Sequence, residues 1–199
     1  MRDKIISKCL KTIQKKDPNI DNDELEKIEY GLVGIYILIT KLIIIFALAL
    51  ILGIYKEVFI FFIIYAIIRS TSFGLHASKS WICLIVSIIL MIGVPYISLN
   101  IIFPFYLKPP LCLICTLLIG LYSPADTAKR PIINHKRRMI YKTISISLAI
   151  IYTITCIFIS NNYISNCLIF ALIIQSIIIL PITYKFLKEP YNNYKNYIK

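Results

Sequence analysis

Charged residues are scarce in this chain. They make up 16% of its 199 residues, whereas an ordinary soluble domain has about a quarter. The scarcity argues against a soluble globular protein, because 58% of the residues are hydrophobic and the few charges are bunched between long apolar stretches. The same hydropathy excludes a soluble nucleic-acid-binding protein, although the formal net charge is +12. The composition predicts an integral membrane protein whose lysines and arginines collect in cytoplasmic loops.

The sequence also lacks a recognisable signal peptide and an evident metal site. The first apolar run begins near Leu32, after a polar arm, and no small-residue cleavage site follows it. We therefore expect the protein to be inserted into the membrane and not secreted. Cys112 and Cys115 have the spacing of a redox or zinc pair, but no histidine or second pair accompanies them, and zinc sites need about four ligands. We expect no metal and no cofactor, and most cysteines should pack as small apolar side chains.

The first 30 residues predict a polar arm that begins with an amphipathic helix on the membrane surface. Its apolar stripe and its basic face recur at helical spacing, which is typical of an interfacial helix on anionic lipid. An acidic stretch follows; it is either a solvated helix face or a docking site for a basic partner. The apolar stripe contains Ile5, Ile6, Cys9, Leu10 and Ile13, and the basic face contains Lys4, Lys8, Lys11 and Lys15.

Six apolar runs predict about six transmembrane helices, since a spanning helix needs about twenty apolar residues. Residues 58–68 are short for a span and leave a re-entrant segment open as an alternative. In the fourth run, Lys108, Pro109 and Pro110 make a break that is tolerated only inside protein. The pattern predicts an all-α, polytopic membrane helix bundle with an N-terminal amphipathic interfacial helix. The runs are residues 32–54, 58–68, 81–99, 101–122, 144–160 and 163–182.

Basic residues predict the orientation of the bundle. The N-terminal arm, the loop 123–142 and the tail are all rich in lysine or arginine, so we expect all three on the cytoplasmic side. Six crossings then place both termini and the stretch 69–80 on that side. The predicted organisation is an arm (1–30), a membrane-embedded domain (31–184) and a basic tail (185–199).

A histidine and a cysteine lie close together between two apolar runs. A thiol becomes a good nucleophile as a thiolate, which a neighbouring imidazole or cation favours. His76, Lys79 and Arg69 are candidates for that role, and Cys83 is the candidate nucleophile just inside the next apolar segment. The alternative is that the histidine has a structural role through its hydrogen bonds and that the cysteine only packs against its neighbours.

Helix geometry constrains this pair. Seven residues of continuous helix leave His76 and Cys83 ~10 Å apart along the axis, whereas a base should lie about 3–4 Å from its nucleophile. We therefore predict a break between Gly74 and Trp81 that folds His76 back towards Cys83.

Two motifs resemble a known family. The first is Gly74-Leu75-His76-Ala77 followed by Cys83, with Arg69 upstream. The second is Ser-Pro-Ala-Asp-Thr-Ala-Lys-Arg-Pro-Ile at 123–132. Together with the length, the polar arm and the apolar pattern, they resemble the AgrB family, the accessory gene regulator B peptidases of Gram-positive quorum sensing. One departure is Leu75, where many members carry a second glycine.

The resemblance implies a cytoplasmic-side cysteine endopeptidase that trims a small propeptide of the AgrD type. His76 would be the base and Cys83 the nucleophile, which would hold the cleaved propeptide as a thioester. A Cys or Ser of the substrate would then attack and release a thiolactone or lactone ring. The expected partners are the propeptide, membrane lipids and a second copy of the chain, with no nucleic acid.

Other roles stay open at this point. Asp126 could orient His76 as a third catalytic partner, or it could cap a helix or pair with Lys129 or Arg130. These two basic residues are also candidates for binding the substrate. The rival function is a peptide exporter or binding scaffold that does no chemistry, in which intramembrane polar residues such as Lys41 and Gln175 would matter and the cysteine would be dispensable.

Overall fold

The computed structural model describes residues 2–17, 20–75, 80–127 and 131–197, without the side chains of Lys16, Ser80 and Asn196. Helices dominate this part of the chain, which divides into two compact units, Met1–Ile51 and Leu52–Lys199. The prediction of an all-α membrane helix bundle is confirmed.

The first unit contains two helices, α1 (Arg2–Lys16) and α2 (Asn22–Ile51), which contact each other. Helix α1 is amphipathic, since Ile6 is buried and its lysines up to Lys15 are exposed. Helix α2 runs without interruption through residue 30, where the sequence suggested the end of the polar arm. Its apolar side chains are largely exposed, as expected for a helix that faces lipid.

The second unit is a bundle arranged around one central helix, α8. More than half of the apolar window of α8 is buried, because α3, α5, α6 and α7 all pack against it. The elements in chain order are α3 (Tyr55–Ser72), α4 (Ser80–Ile88), a π-helical stretch (Ile89–Gly93), α5 (Val94–Asn100), a 3-10 turn (Phe105–Leu107), α6 (Lys108–Tyr122), α7 (His135–Phe158), α8 (Asn162–Ile179), α9 (Pro181–Phe186) and a C-terminal 3-10 helix (Asn193–Tyr197).

Five helices of the described part are long and apolar enough to cross a membrane: Asn22–Ile51, Trp81–Asn100, Phe105–Tyr122, His135–Phe158 and Asn162–Ile179. Helix α3, which contains the short apolar run, carries Lys56, Glu57 and Arg69 near its ends. It is nevertheless a continuous helix of 18 residues, about 27 Å long at 1.5 Å per residue. This length fits a sixth crossing, and the number of crossings stays a prediction.

The prolines of the fourth apolar run start a helix and do not interrupt one. Pro109 and Pro110 lie in the first turn of α6, where a missing N–H is harmless because it would have no acceptor within the helix. The preceding residues 101–104 are not helical. Lys108, which begins α6, is buried, and its ammonium group donates a 2.8 Å hydrogen bond to the hydroxyl of Ser165 on α8.

Several buried polar groups of the bundle are paired with groups on neighbouring helices, which suits a lipid environment. The hydroxyl of Tyr152 donates to the carbonyl of Ile64 at 2.7 Å, which joins α7 to α3. The sulfur atoms of Cys112 on α6 and Cys156 on α7 are 3.3 Å apart. The sequence drew attention to the spacing of Cys112 and Cys115, whereas the thiol contact runs between two neighbouring helices.

Candidate functional site

Three separate stretches of the chain meet at one end of the second unit. They are the turn 73–75 after α3, the loop 123–127 after α6, and the C-terminal segment 190–197. The amide N–H of Gly74 donates to the carbonyl of Ala125 at 2.8 Å, and the N–H of Ala125 donates to the carbonyl of Ser72 at 3.0 Å. The sequence predicted that these stretches share one side of the membrane, and the structure brings them into contact; which side they face stays a prediction.

The side chain of Arg69 organises the turn 73–75. Its guanidinium group donates to the carbonyls of Phe73 at 2.6 Å, Gly74 at 3.2 Å and Leu75 at 2.6 Å. All three carbonyls lie directly after the last residue of α3, Ser72. A cation at this place also opposes the negative end of the helix dipole. The guanidinium group presents five N–H donors in a rigid planar fork, which suits it to bind several carbonyls at once. Arg69 therefore fixes the backbone directly before His76.

Gly74 is required in this turn for two reasons. Its φ of +111° lies in a region that side-chain-bearing residues rarely adopt. A Cβ atom at this position would also lie 2.7 Å from the guanidinium Nη1 of Arg69 and 2.9 Å from a methyl group of Ile178. The glycine of the Gly-Leu-His-Ala motif thus permits the close approach of arginine and backbone.

Phe73 is held from three directions. Its φ is +54°, which is unusual for a residue with a side chain. Its carbonyl accepts a second hydrogen bond, of 2.8 Å, from the side-chain amide of Gln175, which is fully buried on α8. Its ring packs edge-on against Tyr141 of α7, with 4.9 Å between the ring centroids. The turn is thereby tied to three helices of the bundle.

Cys83 lies in the first turn of α4, at the start of the apolar helix Trp81–Asn100, and its side chain is half-buried. His76 and Lys79 lie outside the described residues, so the approach of imidazole and thiol stays a prediction. Helix α3 ends at Ser72, and the chain at Gly74 and Leu75 is not helical. The first part of the predicted break between Gly74 and Trp81 is therefore present, the chain is helical again from Ser80, and residues 76–79 lie outside the described residues.

Asp126 is buried, with 3% of its surface exposed. Its two carboxylate oxygens accept hydrogen bonds from the backbone N–H groups of Asn193, at 3.1 Å, and Tyr194, at 2.8 Å. A role in orienting His76 stays a prediction, and so does substrate binding by Lys129 and Arg130, which lie outside the described residues.

Sequence reasoning missed several residues that build this end of the bundle. Gln175 stood out only as a polar residue in an apolar run, and nothing in the sequence linked it to Phe73. Tyr184 on α9 is also buried, and its hydroxyl donates to the backbone carbonyl of Asp126 at 3.0 Å. The sequence predicts a basic C-terminal tail, whereas part of this segment contacts the loop 123–127.

Comparisons with known proteins agree with the two motifs. Residues 6–179 match the family described as accessory gene regulator B, AgrB. An AgrB-like protein of Clostridium acetobutylicum is 31% identical over 179 residues, which cover 90% of this chain and 86% of the relative. An AgrB-like protein of Listeria innocua is 30% identical over 177 residues, covering 89% of this chain and 87% of that protein.

A longer alignment joins the chain to the accessory gene regulator protein B of Staphylococcus epidermidis, which is 29% identical over 196 residues and 98% of both chains. No solved structure matches the chain. The family match spans the turn 73–75, the cysteine at the start of α4 and the loop 123–127. The chain therefore belongs to the accessory gene regulator B family.

Proposed function

We propose that this protein is a membrane-embedded cysteine endopeptidase that cleaves a small quorum-sensing propeptide of the AgrD type and promotes its cyclisation. One observation carries the proposal. The backbone directly before His76 is fixed by Arg69 and Gly74, and the next described helix presents Cys83 in its first turn. A rigid turn of this kind is what a base needs in order to be positioned against a nucleophile.

In the first step His76 takes the proton of the Cys83 thiol, and the sulfur attacks the carbonyl carbon of the scissile peptide bond. The developing oxyanion and the anionic sulfur would lie at the N-terminal, partially positive end of α4. Collapse of the tetrahedral intermediate breaks the C–N bond, and the imidazolium gives its proton to the leaving amine. The amino-terminal part of the propeptide is left as a thioester on Cys83.

In the second step a Cys or Ser side chain of the bound propeptide attacks this thioester. A new thioester or ester closes the ring, and the Cys83 sulfur leaves and recovers a proton. Exchange of one thioester for another is nearly balanced in energy, so the protein's task is to hold the two ends together and to exclude water. The half-buried position of Cys83 at the start of an apolar helix suits that task.

We further propose that this end of the bundle faces the cytoplasm. Lys136 and Arg137 are exposed at the start of α7, close to the loop 123–127 in the chain, and clusters of basic residues favour the cytoplasmic side. The propeptide would then reach the site from the side on which it is synthesised. Anionic lipid and a second copy of the chain are the other partners that we propose.

The rival function, an exporter or scaffold without chemistry, would depend on intramembrane polar residues. Gln175 was one of the two candidates for that role. Its amide is buried and donates to the carbonyl of Phe73, which is a structural task at the turn before His76. This placement favours the peptidase over the rival.

The proposal is tested by co-expressing the propeptide with the protein and measuring its cleavage in membranes. We expect Cys83→Ala and His76→Ala each to abolish cleavage, while both variants remain in the membrane at wild-type levels. Cys9→Ala is the matched control, because Cys9 is also a half-buried thiol but lies on α1. Full cleavage by Cys83→Ala would refute the peptidase and favour the rival.

A further inference from the structure

The C-terminal segment 190–197 returns to the end of the bundle that carries the turn 73–75. Its 3-10 helix, Asn193–Tyr197, begins at the carboxylate of Asp126. The first N–H groups of a helix have no acceptor within it, and a carboxylate is well suited to accept hydrogen bonds from them. Both oxygens of Asp126 are used in this way, one for Asn193 and one for Tyr194.

Two aromatic contacts hold the same segment. The guanidinium group of Arg138, on α7, lies 3.7 Å from the ring centroid of Tyr194, a geometry in which cation and ring attract each other. The ring of Tyr191 packs edge-on against Tyr184 of α9, at 5.1 Å between the ring centroids. The segment is therefore attached through a carboxylate, a cation and an aromatic ring from three different places in the chain.

Tyr184, which packs against Tyr191 of the segment, also contacts the loop 123–127. Its hydroxyl donates to the backbone carbonyl of Asp126. Burial raises the pKa of Tyr184, and the positive charge of Arg69 offsets part of that rise. The phenol of Tyr184 is therefore an uncharged hydrogen-bond donor at ordinary pH. It lies close enough to Arg69, which fixes the turn 73–75, for the two groups to interact electrostatically.

The loop 123–127 transmits these contacts to the site. Ala125, directly before Asp126, donates its N–H to the carbonyl of Ser72, the last residue of α3, and its carbonyl accepts from the N–H of Gly74 in the turn. Residues 123–126 are all buried, and the loop contacts the turn through Ala125 and the C-terminal segment through Asp126. A displacement of the segment would remove both hydrogen-bond donors from the Asp126 carboxylate, and the loss of hydrogen bonds to a charged group is costly.

We propose that Asp126 is a positioning residue that anchors the C-terminal segment 190–197, and that this segment keeps the loop 123–127 pressed against the turn that precedes His76. The segment is then part of the peptidase and not a solvated basic tail. The consequence for processing rests on the function proposed above, whereas the attachment of the segment does not. Asp126 would act through the backbone of the loop, and direct contact with the imidazole is not needed.

The attachment is tested by hydrogen exchange of the backbone amides, measured by mass spectrometry on the full-length protein in detergent or nanodiscs. We expect slow exchange in the peptide that contains Asn193 and Tyr194, and roughly ten- to hundred-fold faster exchange there in Asp126→Ala. Tyr194→Ala should also speed exchange, and it leaves the loop sequence intact in case Asp126→Ala does not fold. Lys195→Gln, at an exposed position of the same segment, is the control. Rapid exchange in the wild type would overturn the proposal.

The consequence for processing is tested by a double-mutant cycle. Four chains are compared for cleavage of co-expressed propeptide: wild type, Asp126→Asn, a chain that ends at Glu189, and the combination. Because Asp126 and the segment act as one unit, we expect both single changes to slow cleavage to a similar extent and the combination to be no worse than either. If truncation is harmless while Asp126→Asn is harmful, or if the two effects multiply, the aspartate acts in another way and the proposal fails.

A third measurement separates positioning from a general loss of structure. The rate of alkylation of Cys83 is measured against pH without propeptide, by mass spectrometry of the peptide that contains it. We expect Asp126→Asn and the truncated chain to shift this profile in the same way, with Lys195→Gln like the wild type. Different shifts for the two changes would contradict the proposal. If Cys83→Ala still cleaves the propeptide, the peptidase function fails, and the exchange experiment still decides whether the segment is anchored.

Discussion

The amide of Gly74 and the carbonyl of Ala125 are joined by a 2.8 Å hydrogen bond, which connects the two sequence motifs of this chain. The Gly-Leu-His-Ala motif follows α3 and the Pro-Ala-Asp motif follows α6, so each marks the end of a different helix. Their contact means that the second motif supports the backbone of the first. The function of the site therefore depends on how this turn is fixed as well as on which residues react.

Replacing Gly74 with alanine should disrupt this turn. A residue with a side chain at a φ of +111° carries strain of roughly 1–3 kcal/mol, and its Cβ would also displace the guanidinium group of Arg69. We expect lower thermal stability and a large loss of propeptide cleavage. The measurements are a thermal-shift assay in detergent and the cleavage assay in membranes.

Gly120→Ala is the matched control, because an added Cβ there meets its nearest neighbour, on Ile146, at an ordinary 3.8 Å. In a helix interior the exchange of glycine for alanine should be neutral or stabilising, by roughly 0.5–1 kcal/mol. If Gly74→Ala behaved like this control, the described turn geometry would be wrong.

Arg69→Lys should behave as a loss-of-function variant although it keeps the positive charge. A lysine ammonium is a point charge and cannot reproduce the planar fork that reaches three successive carbonyls. The loss of a charged donor should lower the free energy of unfolding by roughly 1.5–3 kcal/mol for each carbonyl. We expect slower alkylation of Cys83 at neutral pH and slower cleavage of the propeptide.

Arg137→Lys is the comparison for that variant, since Arg137 is exposed at the start of α7 and only its backbone N–H takes part in a cap. It should cleave at the wild-type rate. Wild-type cleavage by Arg69→Lys would mean that charge alone is needed at this position and that the three hydrogen bonds are not.

Gln175→Leu distinguishes the peptidase from the exporter or scaffold. The change keeps the side chain's size and removes one donor to the carbonyl of Phe73, which retains its bond from Arg69. We therefore expect a stability loss of about 1 kcal/mol and a cleavage defect no larger than the loss of folded protein explains. Complete cleavage with blocked release of the product would instead support a transport role for this residue.

The sequence predicted the membrane class and the helical fold, and it contained the two recognisable motifs, because hydropathy and local spacing are properties of neighbouring residues. It did not predict which helices would meet. The thiol contact between Cys112 and Cys156 and the hydrogen bond from Gln175 to Phe73 depend on how the helices are rotated and packed in the bundle. An apolar run does not encode that rotation, since every face of such a helix is apolar.

Proline and aspartate show the same limit in two other ways. Pro109 and Pro110 suggested a break within a span, but their position in the first turn of α6 makes them a helix start. For Asp126 a helix cap was one of the open alternatives. Its carboxylate accepts hydrogen bonds from the first N–H groups of the 3-10 helix Asn193–Tyr197, which lies near the other end of the chain. Local sequence rules identified the chemistry of these residues and not their partners.

The most direct test of the account is to trap the acyl intermediate on Cys83. A propeptide whose cyclising Cys or Ser is replaced by alanine cannot complete the second step, so the thioester should accumulate. Mass spectrometry of the protein should then find the amino-terminal part of the propeptide on the peptide that contains Cys83, and neutral hydroxylamine should remove it. Cleavage of this propeptide with no adduct on Cys83, and at an equal rate by Cys83→Ala, would contradict the account.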